Sequence, residues 1–164
     1  MSTPGSSSAV WDKIFIESEW GKYPAESLIR FIARNFYHKK RSEVRILEVG
    51  CGPGANLWYM SREGFQTFGV DGSATAVDKA RDRLVLEGLN ASIYVGDVIV
   101  LDQFEGDYFD AVIDAECVCC NNVINSKKIL AEVKRVLKNN GLFYSRTLSD
   151  KTFVGLDADR KSVV

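Results

Sequence analysis

The sequence contains no run of apolar residues long enough to span a membrane, no excess of charge of either sign and only one histidine. A spanning helix needs about 20 consecutive apolar residues, so we expect no membrane segment. The formal net charge is −1, so no positive field would attract nucleic acid or an anionic membrane. Binding to either is therefore not expected.

Cysteine is also scarce, and its four copies are poorly placed for disulfides. Cys117, Cys119 and Cys120 fall within four positions, where neighbours rarely reach disulfide geometry. We therefore expect reduced thiols. Because the N-terminus also lacks the charged-then-apolar order of a signal peptide, we expect a cytoplasmic location.

The residues that are present fit one globular domain with two short tails. Of the 164 residues, 46% are hydrophobic, and a chain of this length can bury roughly 70% of its unfolded surface without a metal or a disulfide. We predict a flexible Ser/Gly/Pro-rich tail at residues 1–8, a helical segment at 9–43 that covers the functional site, an α/β core at 44–148 and a short tail at 149–164.

Apolar periodicity predicts the elements of the core and of the helical segment. One helix is predicted over Ala9–Trp20, and a second begins after Pro24 with Leu28, Ile32 and Phe36 on its buried face. Strands are predicted at Val44–Val49, Thr67–Val70, Ser92–Val95, Ala111–Ala115 and Leu142–Thr147. Helices are predicted at Ala55–Glu63, Ser73–Glu87 and Ser126–Lys138, the last ended by Asn139-Asn140-Gly141. This alternation predicts a doubly wound, mainly parallel sheet with helices on both faces.

The most informative segment is the turn Glu48-Val49-Gly50-Cys51-Gly52-Pro53-Gly54, which joins a predicted strand to a predicted helix. Three glycines at alternate positions let the backbone turn tightly and approach a ligand without an intervening Cβ. The turn therefore predicts a ligand site, although similar turns also serve only to pack a helix on a strand.

Two aspartates follow at the ends of the next two predicted strands. Asp71 comes 21 residues after Gly50, and an acid about 20 residues after such a turn binds ribose hydroxyls in nucleotide-binding folds. Asp97 follows the third strand at the same sheet edge, where it would accept a hydrogen bond from an adenine amino group. Either acid alone would suit a simple turn or cap. Both together, in this order, indicate nucleoside binding.

These segments, together with Val70-Asp71-Gly72-Ser73, Gly96-Asp97-Val98, Phe109–Asp114 and Leu137–Leu142, resemble the successive motifs of class I S-adenosylmethionine-dependent methyltransferases. The resemblance runs from Val44 to Thr147. It implies a Rossmann-like fold, S-adenosylmethionine as cofactor, S-adenosylhomocysteine as product, and methyl transfer as the activity.

The resemblance also implies roles for individual residues. The three glycines would face the methionine moiety, and Glu48 would hold its amino group through water. Asp71 would bind the ribose, Asp97 the adenine, and Asp114–Glu116 would face the methyl donor. The candidate cofactor-binding residues are Tyr23, Glu48, Gly50, Cys51, Gly52, Gly54, Asp71, Gly72, Ser73, Gly96, Asp97, Val98, Asp114, Ala115 and Glu116. No catalytic residue is assigned, because methyl transfer needs in-line approach and exclusion of water more than an acid or a base.

The sequence narrows the class of methyl acceptor only by excluding one alternative. No basic patch with interleaved aromatic residues suggests nucleic acid, so a small molecule is expected and a protein side chain is the alternative. Trp11, Trp20, Lys22 and Tyr23 are candidates for covering the donor or contacting the acceptor. Simple packing of the aromatic residues on the sheet explains them equally well.

Two other interpretations of the same residues remain open from the sequence. One is a dinucleotide-binding oxidoreductase, whose glycine motif usually has its third glycine three positions after the second. This chain has Ala55 at that position, and the looser form of the motif accepts alanine there. The cysteines at the carboxyl edge would suit zinc or a soft metalloid, although small buried thiols are common. We predict no metal site.

The C-terminal end departs from the family pattern. Members usually continue after the fifth strand with a helix and an antiparallel strand pair, whereas Leu148–Val164 is too short for them. An unpaired edge strand is normally covered or paired. We therefore expect either cover from the tail or a homodimer through this strand. The alternative is a truncated, non-catalytic cofactor-binding or interaction module.

Overall fold

Five parallel strands form one sheet in the computed structural model of the chain, which describes residues 7–148. The strands are β1 (Arg45–Val49), β2 (Gln66–Asp71), β3 (Ser92–Val95), β4 (Phe109–Ala115) and β5 (Leu137–Arg146). Their order is β3-β2-β1-β4-β5, and every neighbouring pair is parallel. This architecture confirms the predicted doubly wound Rossmann-like fold.

Helices cover both faces of the sheet. They are α1 (Ser7–Glu17), α2 (Glu26–Phe36), α3 (Ala55–Arg62), α4 (Ala74–Leu86) and α5 (Val123–Val136), with short 3₁₀ turns at Arg41–Glu43 and Val118–Cys120. None of the helices within residues 7–148 is long and apolar enough to cross a membrane.

The two faces carry separate apolar cores, because neighbouring residues of a strand point to opposite sides. Ile46 packs with the buried residues of α2, α3 and α4, whereas Leu47 packs with those of α5 and with the loop that precedes β4. The period-four face of α2 is buried as predicted, since Leu28, Ile32 and Phe36 are almost inaccessible to solvent.

Several predicted helix boundaries are confirmed by their capping geometry. Ser73 caps α4, because its hydroxyl accepts a hydrogen bond from the backbone N–H of Ala76 at 3.1 Å. Gly64 and Gly88 follow α3 and α4 with φ of +87° and +64°, the left-handed conformation that glycine adopts easily.

The ends of α1 and α5 differ from the prediction. Helix α1 begins at Ser7, inside the segment predicted to be a tail, and ends at Glu17 instead of Trp20. Residues 1–6 and 149–164 lie outside the described residues. The division of the chain into two tails, a helical segment and an α/β core stays a prediction. Helix α5 begins at Val123 because the Asn122 side chain accepts a hydrogen bond from the Asn125 N–H.

The predicted break at Asn139-Asn140-Gly141 is wrong. Leu137 already pairs with Phe109, so β5 begins where α5 ends. The ladder is then interrupted by a bulge and resumes where Ala111 pairs with Leu142. Asn140 takes up a φ of +69° within this bulge. The turn-forming residues therefore bend the strand instead of preceding it. Among the described residues, β5 pairs with β4 alone.

We expect Ile32→Ala to lower the free energy of unfolding by about 2–5 kcal/mol, because it opens a cavity between α2 and the sheet. Ile29, on the same helix, is 36% exposed and provides a matched control. Ile29→Ala should cost less than about 1 kcal/mol. Urea unfolding of both variants measures the difference, and equal losses would contradict the burial described here.

Candidate functional site

The carboxyl ends of the strands open into a cavity of about 620 Å³. Its volume lies in the range of roughly 300–1,000 Å³ that small-molecule sites occupy. The cavity lies where the strand order reverses between β1 and β4, the usual ligand position in open parallel sheets. Helix α1 and residues 20–28 form its outer wall.

Glu48, at the end of β1, contributes a buried carboxyl group to the cavity wall. The Asn56 side chain donates a hydrogen bond to its Oε1 at 2.5 Å, while its Oε2 is buried without a partner. Burial raises the pKa of Glu48 to about 8, and the negative charges of Asp71 and Asp114 add to this effect. An unsatisfied oxygen at a cavity wall is a natural position for a ligand's donor group.

Asp71, at the end of β2, joins two turns beside the cavity. Its Oδ2 accepts a hydrogen bond from the Gly52 N–H and its Oδ1 accepts one from the Ser73 N–H, both at 2.8 Å. Burial raises the pKa of Asp71, while these two bonds favour its ionised form. Each carboxylate oxygen can accept more than one hydrogen bond, so both remain able to bind ligand hydroxyls.

The glycines of the turn serve internal packing more than open approach to a ligand. All three have positive φ, at +66° for Gly50, +50° for Gly52 and +84° for Gly54. A Cβ on Gly50 would lie 2.5 Å from the sulfur of Cys117, and one on Gly54 would lie 2.8 Å from the Cβ of Ala80 on α4. Side chains at Gly50 and Gly54 are therefore excluded by protein contacts.

The backbone N–H groups of this turn are also used within the protein. Those of Gly50 and Cys51 both donate to the Val70 carbonyl, and that of Gly52 donates to Asp71. A pyrophosphate cradle would need such groups to be free. The turn is therefore poorly suited to a dinucleotide.

Most residues predicted to bind the donor do line the cavity. They are Tyr23, Glu48, Gly50, Cys51, Gly52, Asp71, Gly72, Ser73, Gly96, Asp97, Val98, Ala115 and Glu116. Gly54 is not among them, because its missing side chain faces α4. Whether the lining residues bind the donor stays a prediction, since their position shows only that they share one cavity.

Asp114 is the second predicted residue that the structure places elsewhere. It is fully buried, and its Oδ1 accepts hydrogen bonds from the N–H groups of Cys117 and Val118. Its Oδ2 accepts a hydrogen bond from the Ser145 hydroxyl at 2.7 Å. Asp114 therefore ties the loop after β4 to β5 and does not face the cavity, contrary to the expectation for this residue.

Helix α1 closes the cavity through contacts that sequence periodicity did not indicate. Asp12 accepts hydrogen bonds from the Ser73 hydroxyl at 2.6 Å and from the Thr75 N–H at 3.1 Å, and these bonds lower its pKa. Lys79 donates to the carbonyl of Phe15, whose ring lies over Gly52. The helix is thus fixed to the start of α4.

The N-terminal aromatic residues line the cavity, and one of them lies at its exposed rim. Trp11, Phe15 and Trp20 contact one another with ring centroids 5.3–6.1 Å apart, and all three line the cavity. Tyr23 is 73% exposed and packs edge-on against Trp58 at the rim. Lys22 does not line the cavity.

The four cysteines are free thiols. Cys51, Cys117 and Cys120 line the cavity, and burial raises the pKa of each, to about 11 for Cys120. These shifts favour the protonated thiol in the ligand-free protein. Within residues 7–148, no group of three His, Cys, Asp or Glu residues is arranged to hold a metal ion.

The charged side chains on the cavity wall are mostly acidic. They are Glu48, Asp71, Asp97, Glu116 and Arg146. Arg146 is paired with Glu116 at 2.5 Å, which leaves the other acids without a basic partner on the wall. Such a cavity favours a cationic ligand and disfavours a pyrophosphate.

A sequence model of the methyltransferase domain family matches residues 46–141. The chain belongs to the class I S-adenosylmethionine-dependent methyltransferases. An uncharacterized methyltransferase of Schizosaccharomyces pombe is 29% identical over 107 residues, which cover 64% of this chain and 72% of that protein. A ubiquinone biosynthesis O-methyltransferase of Chelativorans is 28% identical over 106 residues, 65% of this chain and 41% of that one.

Solved structures of this methyltransferase's fold include the PH0226 protein of Pyrococcus horikoshii, with 30% identity and a TM-score of 0.64. The match covers 72% of this chain and 53% of PH0226, so the chain spans about half the length of that protein. PKMT2 of Rickettsia typhi, solved in complex with AdoHcy, shares the fold with a TM-score of 0.58 at 23% identity, over 64% of this chain and 21% of that one.

We expect Glu48 to make the ligand-free methyltransferase less stable as the pH rises from 5 to 8. Its folded pKa of about 8 lies above the ordinary value of 4.5, so its stabilising contribution is complete below pH 4.5 and is lost as the pH rises towards 8. Glu48→Gln should remove this loss, which changes the stability difference from wild type by about 3 kcal/mol between pH 5 and pH 8.

Urea unfolding at the two pH values measures this effect. Glu19→Gln, which alters an exposed carboxylate, is the matched control and should follow wild type at both values. If Glu48→Gln followed wild type as well, Glu48 would have an ordinary pKa.

Proposed function

We propose that this methyltransferase binds S-adenosylmethionine in the cavity at the carboxyl ends of the strands and methylates a small-molecule acceptor bound beside it. The observation that carries the proposal is the acidic cavity wall, with the buried and unpartnered Oε2 of Glu48. S-adenosylmethionine would supply an activated methyl group on a positively charged sulfur, together with a charged amino group.

The residues present suit this cofactor. Glu48 would accept a hydrogen bond from the amino group, which matches its free oxygen. Asp71 would accept hydrogen bonds from the ribose hydroxyls through the lone pairs that Gly52 and Ser73 leave available. Asp97, at the end of β3, would meet the adenine amino group.

The remaining walls would orient the acceptor and exclude water. Trp11, Phe15 and Trp20 enclose the cavity from the α1 side. Exclusion of water strengthens electrostatic interactions inside the site and protects the donor. His38 lies in the exposed turn after α2 and does not line the cavity, so we assign it no role and propose no catalytic base.

A small acceptor is supported by the enclosure of the site. The cavity of about 620 Å³ would hold the donor and acceptor together, beneath a helix that is hydrogen-bonded to α4. A cytoplasmic location and pairing of two copies through β5 are further expectations of this proposal, and gel filtration tests the second.

We expect the purified chain to bind S-adenosylhomocysteine with micromolar affinity in a calorimetric titration. Asp71→Ala should weaken binding by about tenfold or more, because it removes a charged acceptor of hydrogen bonds. Asp97→Ala should weaken it less, since Asp97 is more exposed than Asp71. Asp82→Ala, on the outer surface of α4, should bind like wild type.

The folding of Asp71→Ala must be checked, because Asp71 also accepts hydrogen bonds from two turns. A cooperative thermal transition separates loss of binding from loss of structure. Folded wild-type chain that binds no S-adenosylhomocysteine would contradict the proposal. Binding without transfer of a labelled methyl group to a panel of small molecules would instead indicate a non-catalytic binding module.

A further inference from the structure

We infer that the acceptor carries an acidic oxygen group, a carboxylate or a phosphate, which binds to Arg146 at the β4–β5 end of the cavity. This inference rests on the proposed function and names the substrate class of the same site. Its basis is the contrast between one basic side chain and an otherwise acidic wall.

The topology separates the cavity into two halves. Asp71 and Asp97 stand at the ends of β2 and β3, on one side of the reversal in strand order. Donor binding would occupy that half and the turn after β1. The space over β4 and β5 is then left for the acceptor, and Glu116, Asn121, Tyr144 and Arg146 supply its polar groups.

Arg146 is the one basic side chain among the described residues that line the cavity. Its Nη2 donates to Glu116 Oε1 at 2.5 Å, which engages one of the five N–H donors of the guanidinium group. Its side chain is 44% exposed, so the remaining donors are accessible. A guanidinium group with free donors binds carboxylates and phosphates in a two-pronged geometry.

Glu116 holds Arg146 in place from both backbone and side chain. Its N–H donates to the Arg146 carbonyl at 2.8 Å, in addition to the side-chain contact. Its backbone has a φ of +71°, which costs about 1 kcal/mol or more in a residue with a side chain. Such a conformation persists only where the surrounding contacts enforce it. The arginine is therefore oriented before a ligand arrives.

The same pairing predicts opposite effects for its two members. Removing the charge of Arg146 would remove the attraction for an acid. Replacing Glu116 with glutamine would keep an oxygen that can accept a hydrogen bond from Arg146 but would remove the negative charge. The positive charge of Arg146 would then be less compensated, and its attraction for an acid would be stronger. If the pair only stabilised the structure, both substitutions would weaken acid binding.

The test uses the chain saturated with S-adenosylhomocysteine and titrated with benzoate, phenyl phosphate and benzamide, with binding followed by NMR. We expect wild type to bind one of the two acids about tenfold more tightly than the uncharged amide. Tighter binding of benzoate indicates a carboxylate acceptor, and tighter binding of phenyl phosphate indicates a phosphorylated one.

Three variants complete the experiment. Arg146→Gln should abolish the preference for acids, and Glu116→Gln should increase acid affinity about threefold, because the pair's compensating charge is lost. Arg30→Gln, which removes an exposed arginine of α2 paired only with Glu26, should leave acid binding unchanged. The affinity for S-adenosylhomocysteine should stay within about twofold of wild type in Arg146→Gln and in Arg30→Gln.

The outcomes distinguish this inference from the proposed function. If S-adenosylhomocysteine fails to bind wild type, the proposed function is wrong and the acceptor assignment falls with it. If it binds but no acid is preferred, or Arg146→Gln keeps the preference, or both pair variants weaken acid binding alike, the acceptor assignment alone is overturned.

Discussion

The carboxylate of Asp71 joins the parts of the molecule that form the cavity. Through Gly52 it fixes the turn after β1, and through Ser73 it fixes the start of α4. Ser73 in turn caps α4 and donates to Asp12, which attaches α1. The floor, one wall and the cover of the cavity therefore depend on a single network that begins at the end of β2. Hydrogen bonds that are linked in this way polarise and strengthen one another.

Three acidic side chains lie close together at the ends of β1, β2 and β4, and their proximity carries an electrostatic cost. Glu48, Asp71 and Asp114 stand close enough to raise the pKa of Glu48, and burial deprives them of water. A chain selected for stability alone would not place these acids together. Strain and unsatisfied groups collect at functional sites because the ligand, when bound, relieves them. This grouping of acids at the end of the sheet is consistent with the ligand site proposed above.

The sequence predicted the architecture well because its signals are local. Hydrophobic periodicity, the Ser73 cap and the glycines after α3 and α4 each act within a few residues, and the structure confirms them. Contacts between distant residues left no such signal. Neither the link from Asp12 to Ser73 nor the burial of Asp114 beneath Ser145 can be deduced from spacing.

Two further differences have a clear physical origin. Asn139-Asn140-Gly141 has the composition of a turn, but pairing of Leu137 with Phe109 draws it into β5 as a bulge. The glycine motif suggested open backbone, yet the side chains of Cys117 and Ala80 fill the space beside two of its members. Tertiary packing determines the conformation of both segments. A local sequence pattern does not indicate which distant side chain will pack against them.

The reversal of strand order divides the cavity into an end formed by β1, β2 and β3 and an end formed by β4 and β5. The turn after β1 and the ends of β2 and β3 are tied to one another and to α1, so a change there disturbs several elements at once. The loop after β4 is instead held by Asp114, and the side chains of Glu116 and Arg146 lie on the cavity wall, paired with each other. Under the proposed function, substitutions at this end would change acceptor binding and leave the donor half intact. If the proposed function holds, the topology of the sheet would let specificity change independently of cofactor binding, because the two ends of the cavity are formed by different strands.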